Sequence, residues 1–337
     1  MRLPCRFAGE HALARDSGRR GAIALLALSA CTPTFSDDTS IVRAPRLLAV
    51  QAAPAEAAPN EAFTMKALYV GPTGDVDAST LDWAICLLPK ALGDPDPVSS
   101  ACFAAAASDL EPLGAGGNVS GIVPKEACEL FGPDSPPPPP GQPAARPTDP
   151  DPTGGFYLPV RLRTNEGAWS SALERLACQP SGLTEPVFAA FSNDYVRNEN
   201  PTLTSLAEVA GDGDAEAVPV DPGGGALVVS AGEHVTLRVT WPECPPKPEG
   251  CGGAETYVYI DPTTKALATA RESIVTSWYA TAGSFDRDRV GRAATDLATT
   301  AGNGWTAPTS PGKVVLWVVV RDDRGGVGWG EYRVDAR

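Results

Sequence analysis

Residues suited to nucleophilic catalysis are scarce in this chain. Beyond residue 11 its only histidine is His234, which lies in the strand-like segment EHVTLRVT, and no GxSxG motif occurs. A Ser/His/Asp mechanism needs a histidine beside an exposed serine, so we interpret His234 as a strand residue and not as a general base. The HExxH and P-loop motifs are also absent. The sequence therefore predicts a non-catalytic protein, and hydrolysis by paired carboxylates is the enzymatic alternative that remains open.

Paired aspartates are the residues that could bind a metal. Calcium takes six to eight oxygen ligands, which the loops of a β-sandwich can supply. Arginines are interleaved with these aspartates and the EF-hand spacing is not met, so we interpret the pairs as solvated turns and expect neither metal nor cofactor. The calcium alternative rests on three pairs: Asp212 with Asp214, Asp286 with Asp288, and Asp322 with Asp323.

Tryptophans are concentrated in the C-terminal part of the chain, where five of the seven follow residue 240. Exposed tryptophans can stack on sugar rings, whereas buried ones pack in a core or across strands. We expect packing for most of them, including Trp317. Trp305, in GNGWTAP, and Trp329, between glycines, are the candidates for glycan contact.

The N-terminal segment has the pattern of an export signal. Residues 1–30 contain five arginines followed by the nine-residue apolar run Ala22–Ala30, which is far too short to span a bilayer. The run ends in Leu28-Ser29-Ala30-Cys31, and this segment resembles the signal peptide of bacterial lipoproteins. The resemblance implies cleavage after Ala30 and lipidation of Cys31, with an ordinary cleaved signal as the alternative. Thr32 follows in place of Asp, which in that family favours the outer membrane over the inner one.

The resemblance also predicts how the remaining chain is held. We expect a signal peptide over 1–30, a flexible tether over 31–43, and a body that touches the membrane through its lipid anchor alone. The predicted location is the cell envelope of a Gram-negative-type bacterium.

Six cysteines remain after the predicted cleavage and lipidation. An even number in an exported chain indicates three disulfides, and the absence of a CxxC motif argues against a metal site. Sequence alone leaves 15 pairings open. Proximity favours Cys244 with Cys251 and Cys86 with Cys102, which would leave Cys128 with Cys178.

Composition points to a β-rich body that does not bind nucleic acid. The chain has 34 Gly and 34 Pro, which argues against a helical bundle, and its 43% apolar content is enough for a packed core. Its 41 acidic against 27 basic residues give a net charge of -14, which is unsuited to phosphate backbones.

Two segments with strand patterns indicate an internal repeat. NEAFTMKALY (Asn60–Tyr69) aligns without gaps to GEHVTLRVTW (Gly232–Trp241). The flanking patterns predict strands over Ala62–Val70 and Ala226–Trp241. Two such openings about 170 residues apart suggest two copies of one sandwich module.

Further elements follow from local patterns. Leu81–Cys86 is predicted as a strand with Trp83 in the core, and Phe156–Thr164 as another. Ala168–Cys178 is predicted as a helix from its leucine spacing. Residues 132–155 contain five consecutive prolines and are interpreted as a solvated loop, with a proline-recognising groove as the alternative partner.

The C-terminal hairpin gives the most specific fold signal. Val314–Val334 contains a seven-residue apolar run, the turn RDDRGG and a second strand, and the uninterrupted run predicts a central strand covered on both faces. This hairpin is similar to the closing strands of bacterial Ig-like and PKD-type modules. The matching residues are Val318, Val320, Asp322, Asp323, Gly325 and Gly326.

These patterns together predict an all-β protein with two immunoglobulin-like β-sandwich domains in tandem, over 44–182 and 183–337, stapled by disulfides. The resemblance implies an extracytoplasmic structural, adhesive or ligand-binding role without catalysis. The predicted partner is an unidentified envelope protein or glycan. Glycan binding through exposed tryptophans of the second domain is the first alternative function, and an envelope hydrolase is the second.

Overall fold

The computed structural model describes residues 39–90, 97–133, 151–164, 166–209, 218–220, 226–246, 251–261 and 263–337. Asp38–Arg337 forms one compact unit. The signal segment, Cys31, the Asp212–Asp214 pair and residues 134–150 of the proline-rich loop lie outside the described residues. No described helix is long and apolar enough to cross a membrane.

The first half of this unit is a two-sheet sandwich. One sheet has the strand order β1–β3–β4 with β7 also paired to β3, and the other has the order β2–β9–β8–β5–β6. Its elements are β1 (Arg46–Ala53), β2 (Glu56–Ala57), β3 (Ala62–Gly71), β4 (Gly74–Asp75), β5 (Asp82–Cys86), β6 (Leu110–Ala115), β7 (Asn118–Ile122), α1 (Ala127–Phe131), β8 (Tyr157–Arg163) and β9 (Trp169–Leu176). Phe63 and Met65 of the first sheet pack against Trp83 and Leu162 of the second, as expected for Trp83.

The second half forms another sandwich after the helix α2 (Glu185–Asp194). Its sheets have the orders β11–β10–β13–β19–β17 and β12–β21–β20–β16–β18, and β14 and β15 form a separate hairpin. The strands are β10 (Ser205–Val209), β11 (Val218–Val220), β12 (Leu227–Val229), β13 (His234–Thr240), β14 (Thr256–Ile260), β15 (Leu267–Arg271), β16 (Ile274–Ala280), β17 (Ser284–Phe285), β18 (Arg289–Arg292), β19 (Thr300–Thr306), β20 (Gly312–Asp322) and β21 (Val327–Ala336).

The two sandwiches share one strand plan. The order β1–β3–β7 corresponds to β10–β13–β19, and the order β2–β9–β8–β5–β6 corresponds to β12–β21–β20–β16–β18. In both, the short first strand of the second sheet pairs parallel with the last strand of the same sandwich. The prediction of an all-β chain with two immunoglobulin-like sandwiches is confirmed.

The internal repeat extends to individual atoms. Asn60 and Gly232 both have a positive φ, of 66° and 77°, at the turn before the aligned strands. The next residue caps that turn in each copy: Glu61 Oε2 accepts from the Ala58 amide at 2.9 Å, and Glu233 Oε2 from the Ser230 amide at 2.8 Å. This backbone hydrogen bond is the main cause that lowers the pKa of each glutamate.

A third apolar cluster joins the two sandwiches. Val42, Leu48 and Val70 pack against Trp317 and Val319 of β20, on the face opposite to the core of the second sandwich. Leu316, Val318 and Val320 alternate with them and enter that core. The apolar run of β20 is therefore covered on both faces, as predicted, because the first sandwich supplies the second cover.

Two local predictions were wrong, and one helix was missed. Ala168–Cys178 is not a helix: Trp169–Leu176 is strand β9, paired with β8 from Trp169 to Arg175. Long-range pairing here overrides the helix propensity of Ala, Leu, Glu and Arg. The segment Ala226–Trp241 is two strands, β12 and β13, which lie in different sheets. The helix α2 was not predicted, although Thr184 at its N-cap and Pro186 in its first turn are typical start signals.

The end of the predicted tether is also fixed in place. The Val42 amide donates to the Ala280 carbonyl at 2.8 Å, and the Ala280 amide donates to the Ser40 carbonyl at 2.9 Å. Ile41 and Val42 are buried. Residues 39–43 are therefore part of the folded body, contrary to the prediction of a flexible tether over 31–43.

Three disulfides staple the unit. They join Cys86 to Cys102, Cys128 to Cys178, and Cys244 to Cys251, which are the pairs that proximity favours. The first two lie in the first sandwich, and the third closes the loop after β13.

Candidate functional site: a buried charge cluster between the sandwiches

Charged side chains fill a second region of contact between the sandwiches. Strand β2 contributes Glu56, strand β9 contributes Arg175, the end of β20 contributes Asp322, and the turn that follows contributes Arg324. The side chains of Glu56 and Arg324 are completely buried, and that of Arg175 is 3% exposed. We call this region the charge cluster; its remaining members are Asp151, Tyr157, Tyr195, Asn198, Glu255, Tyr257 and Glu272.

Arg324 is the centre of the cluster. Its Nη2 lies 3.3 Å from Glu56 Oε2 and donates to the Val196 carbonyl at 2.8 Å. Its Nη1 lies 3.5 Å from Glu272 Oε1 and 3.7 Å from Glu255 Oε2. The guanidinium also stacks over the Tyr257 ring, 4.7 Å from its centroid. One positive charge is thus shared among three buried carboxyl groups.

Arg175 holds the neighbouring part of the first sandwich. Its Nη1 donates to Thr153 Oγ1 at 2.8 Å and to the Tyr157 hydroxyl at 3.0 Å. Its Nε lies 3.3 Å from Glu56 Oε2, and Nη1 lies 3.5 Å from Asp151 Oδ2. Nη1 also reaches the backbone carbonyl of Arg324 at 3.3 Å, so this side chain ties the two sandwiches together directly.

Glu56 joins the two arginines to the segment that connects the sandwiches. Its Oε1 accepts from the Tyr195 hydroxyl, and its Oε2 accepts from the Asn198 amide at 2.9 Å. Burial is the main cause that raises the pKa of Tyr195 to about 12, so its hydroxyl keeps the proton it donates. The connecting segment is thereby fixed to both sandwiches.

The tight turn between β20 and β21 positions Arg324. Asp322 Oδ1 accepts from the Arg324 amide at 2.9 Å and from the Gly326 amide at 2.7 Å. A Cβ at Gly326 would collide with Asp322 Oδ2 and come within 2.9 Å of the Glu199 carbonyl, so only glycine fits. The predicted D-x-x-G-G turn therefore carries the central residue of the cluster.

The cluster holds more acid than base. Five carboxyl groups, from Glu56, Asp151, Glu255, Glu272 and Asp322, surround two arginines. Burial is the main cause that raises the pKa of Glu272 to about 9, of Glu255 to about 7 and of Asp322 to about 6. Some of these groups therefore carry protons near neutral pH, because burial disfavours an excess of negative charge.

Glu174 is buried directly behind the cluster. It lies beside Arg175 on β9, on the same face as Ala172 and Leu176 of the core, and neither of its carboxyl oxygens has a hydrogen-bond partner. Burial, followed by the charge of Glu56, raises its pKa to about 9. The raised pKa favours the neutral form of Glu174 in the folded protein.

The acids of the cluster have protein groups as their neighbours. Its carboxyl groups face arginines and backbone amides. Within the described residues no group of three His, Cys, Asp or Glu side chains could hold a metal ion. The cluster contains buried acids, Glu255 and Glu272, whose charge depends on pH.

The tryptophans predicted to contact glycan lie elsewhere. Trp305 is completely buried in the core of the second sandwich, so it is no candidate for stacking on sugar; its Gly-flanked sequence is that of β19, not of a surface loop. Trp329 is half-buried at the apolar contact, with Lys66 Nζ 5.3 Å from its ring centroid. The exposed tryptophan is Trp169, which carries Arg161 and Arg163 over its ring at 4.8 and 5.3 Å.

The aspartates considered for calcium have protein partners. Asp286 lies 3.2 Å from His234 Nε2, and both side chains are about half exposed. Asp288 accepts from Thr39 and Ser40, and Asp323 from Ser273. Asp322 is a member of the charge cluster. The structure does not bring these four aspartates together.

Comparisons with known proteins add little to this picture. No protein-family model and no curated protein matches the chain. Similar solved structures include the adhesin InvE of Yersinia pseudotuberculosis, at 12% identity and a TM-score of 0.21 over 86% of this chain and 58% of that one. A membrane-anchored protein of Corynebacterium diphtheriae shows 11% identity and a TM-score of 0.22, over 85% and 58%.

A third match, dimeric latent PorU of Porphyromonas gingivalis, shows 11% identity and a TM-score of 0.21, over 88% of this chain and 24% of that one. The chain thus spans less than two thirds of the length of each of these proteins. Likeness at such TM-scores carries no argument about function. The fold class rests on the sheets themselves.

Proposed function

We propose that this chain is an exported lipoprotein, anchored through Cys31, whose paired sandwiches serve a non-catalytic structural or adhesive role at the cell envelope. The single observation that carries the proposal is the double contact between the sandwiches. An apolar face and a buried charge cluster join modules that a flexible linker alone would leave free. A fixed pair presents its surface loops in a constant arrangement, which suits a spacer or a binding platform.

The location is tested by the chemistry of the N-terminus. Mass spectrometry of the protein isolated from bacterial membranes should show an acylated Cys31 as the first residue. A Cys31→Ala variant should leave the membrane fraction, whereas a Thr32→Ala variant should stay. An unmodified N-terminus in the wild type would overturn the anchor.

The binding role is tested by capture from envelope fractions and on glycan arrays. Loss of a captured glycan in Trp169→Ala or Trp329→Ala, but not in the buried-site control Trp305→Phe, would identify glycan binding through exposed rings. Retention of a protein partner by all three variants would favour an adhesive role that uses the loops. Turnover of a polysaccharide would contradict the non-catalytic proposal.

A further inference from the structure

The charge cluster lies at the contact between the two sandwiches, and its members come from both of them and from the segment that connects them. Glu56 and Arg324 are 268 residues apart in the chain, and Arg175 is 149 residues from the Arg324 carbonyl that accepts its hydrogen bond. These contacts form only when the sandwiches dock, whereas Glu255 and Glu272 approach Arg324 from within the second sandwich. Docking therefore adds Glu56 to the two acids that share Arg324.

The charges do not balance in the docked state. Arg324 faces Glu56 from β2, Glu255 from the start of β14, and Glu272 from the turn between β15 and β16. Arg175 faces the same Glu56 and Asp151. The remaining titratable groups that face the cluster are Tyr157, Glu174, Tyr195, Glu199, Tyr257, Asp322 and Asp323.

The number of hydrogen-bond donors around each carboxyl group shows which of them are poorly stabilised when ionised. Glu56 accepts three hydrogen bonds and has Arg175 Nε 3.3 Å away as an ion-pair partner, and Asp322 Oδ1 accepts from two backbone amides. Both oxygens of Glu255 lack a hydrogen-bond donor, and Glu272 receives one from the Glu255 amide and a long one from Arg324. A buried carboxylate with so few donors is destabilised relative to the neutral acid.

We propose that the contact between the two sandwiches is a proton-dependent latch, closed while Glu255 and Glu272 are neutral and loosened when they ionise. Ionised Glu255 and Glu272 place two negative charges beside Arg324, where they repel Glu56 and compete with it for the cation. Raising the pH therefore favours opening. An open groove of about 710 Å³, lined by Glu56 and by residues 196–200 of the connecting segment, gives water its route to the opened cluster.

Burial supports this direction, since it raises the pKa of both acids well above that of a free glutamate. Stability contributed by these groups is present in full below about pH 4.5 and is lost as the pH rises through their folded values. Titratable groups border the apolar contact around Trp317 as well: Glu331 Oε2 accepts from the Trp317 indole at 3.2 Å, and Arg321 Nη2 donates to the Leu48 carbonyl at 2.8 Å.

Hydrogen exchange on the full chain tests the latch. We expect opening of residues 54–57, 195–200 and 322–326 to rise about tenfold or more between about pH 6 and about pH 9, after correction for intrinsic exchange. Strand β13, in the core of the second sandwich, serves as internal reference and should change much less.

Two matched variants keep the test decisive. Glu255→Gln/Glu272→Gln mimics the neutral acids and should leave the three segments with a much smaller pH response than the wild type, because only Glu174 and Asp322 still titrate there with raised pKa values. Glu111→Gln/Glu243→Gln, at two exposed positions, should behave like the wild type. Equal protection of the wild-type segments at both pH values would overturn the latch. A Glu255→Gln/Glu272→Gln variant with the full wild-type pH response would overturn the assignment to these two acids.

Discussion

Two regions hold the same pair of sandwiches together by opposite physical means. The apolar contact around Leu48, Trp317 and Val319 removes hydrocarbon from water, and such burial stabilises by roughly 1.5–3 kcal/mol per large side chain. The charge cluster removes ions from water, which costs several kcal/mol per ion before any pairing is counted. The apolar contact therefore stabilises the docked pair. The charge cluster is favourable only when each buried acid is either protonated or paired with an arginine.

The difference shows in what each region demands of its neighbours. Apolar side chains tolerate modest changes of shape and register, since dispersion and burial have little directionality. The cluster requires Arg175 to form an ion pair and Arg324 a hydrogen bond with Glu56, and docking in a shifted position would leave buried charges unpaired. We infer that the cluster specifies how the sandwiches dock, and that the apolar contact stabilises the docked pair.

Removal of Arg324 should have the largest effect. Arg324→Met keeps the unbranched stem of the side chain but leaves Glu56, Glu255 and Glu272 without their shared cation, and we expect a loss of about 3–5 kcal/mol in the free energy of unfolding. The loss should be smaller at about pH 5 than at about pH 8, because Glu255 and Glu272 are protonated at the lower pH. Urea unfolding at about pH 5 and about pH 8 measures it.

Arg333→Met is the matched control, because Arg333 is 72% exposed and lies 3.9 Å from Glu331. It should change stability by less than about 1 kcal/mol. An Arg324→Met protein as stable as Arg333→Met would show that the cluster has no specific role in the docked pair.

Truncation in the apolar contact comes next. Leu48→Ala should lower the free energy of unfolding by about 2–4 kcal/mol through lost burial and a cavity, to the same extent at about pH 5 and about pH 8. Leu297→Ala, at a side chain that is 75% exposed, is the control and should have little effect. A clear pH dependence of the Leu48→Ala loss would mean that the two regions are not separable.

Glu174 should be replaceable with a gain. Its buried carboxyl has no hydrogen-bond partner, and its folded pKa of about 9 means that folding must take up a proton at neutral pH. Glu174→Leu should therefore raise the free energy of unfolding by about 1–3 kcal/mol at about pH 8, and by less toward about pH 4.5, where the unfolded chain holds the proton too. Destabilisation at every pH would indicate that the neutral acid has a partner.

Local patterns foretold the sandwiches well and the charge cluster poorly. Glu61 and Glu233 sit at equivalent turns because the repeated sequence specifies the same short-range hydrogen bonds. The apolar run of β20 indicated a second covering surface without revealing which one. Both features depend on patterns that lie within one strand or turn.

The charge cluster could not be predicted from the sequence because its members are far apart in the chain. Glu174 and Arg175 were assigned to a helix, where a Glu-Arg pair is an ordinary exposed feature, and only pairing with β8 shows that both are buried. The prediction that Trp305 could contact glycan was wrong for a related reason. The glycines beside it resemble a loop, but they lie within β19, which pairs along its whole length with β13. Burial of this kind depends on tertiary pairing, which no local pattern encodes.

The smallest expected effect comes from replacing Arg197, which forms an exposed ion pair outside the charge cluster. Arg197 Nη1 lies 2.7 Å from Glu61 Oε2, and these side chains are 47% and 37% exposed. Like Arg324, it joins the first sandwich to a residue far along the chain, but both partners stay hydrated. Arg197→Ala should therefore cost only about 0.2–1 kcal/mol, and salt should reduce that cost. The pKa of Glu61 should stay low, because its main cause is the hydrogen bond from the Ala58 amide. If Arg197→Ala lowered the free energy of unfolding as much as Arg324→Met does, the geometry of an ion pair, and not its burial, would determine how much it stabilises the contact between the sandwiches.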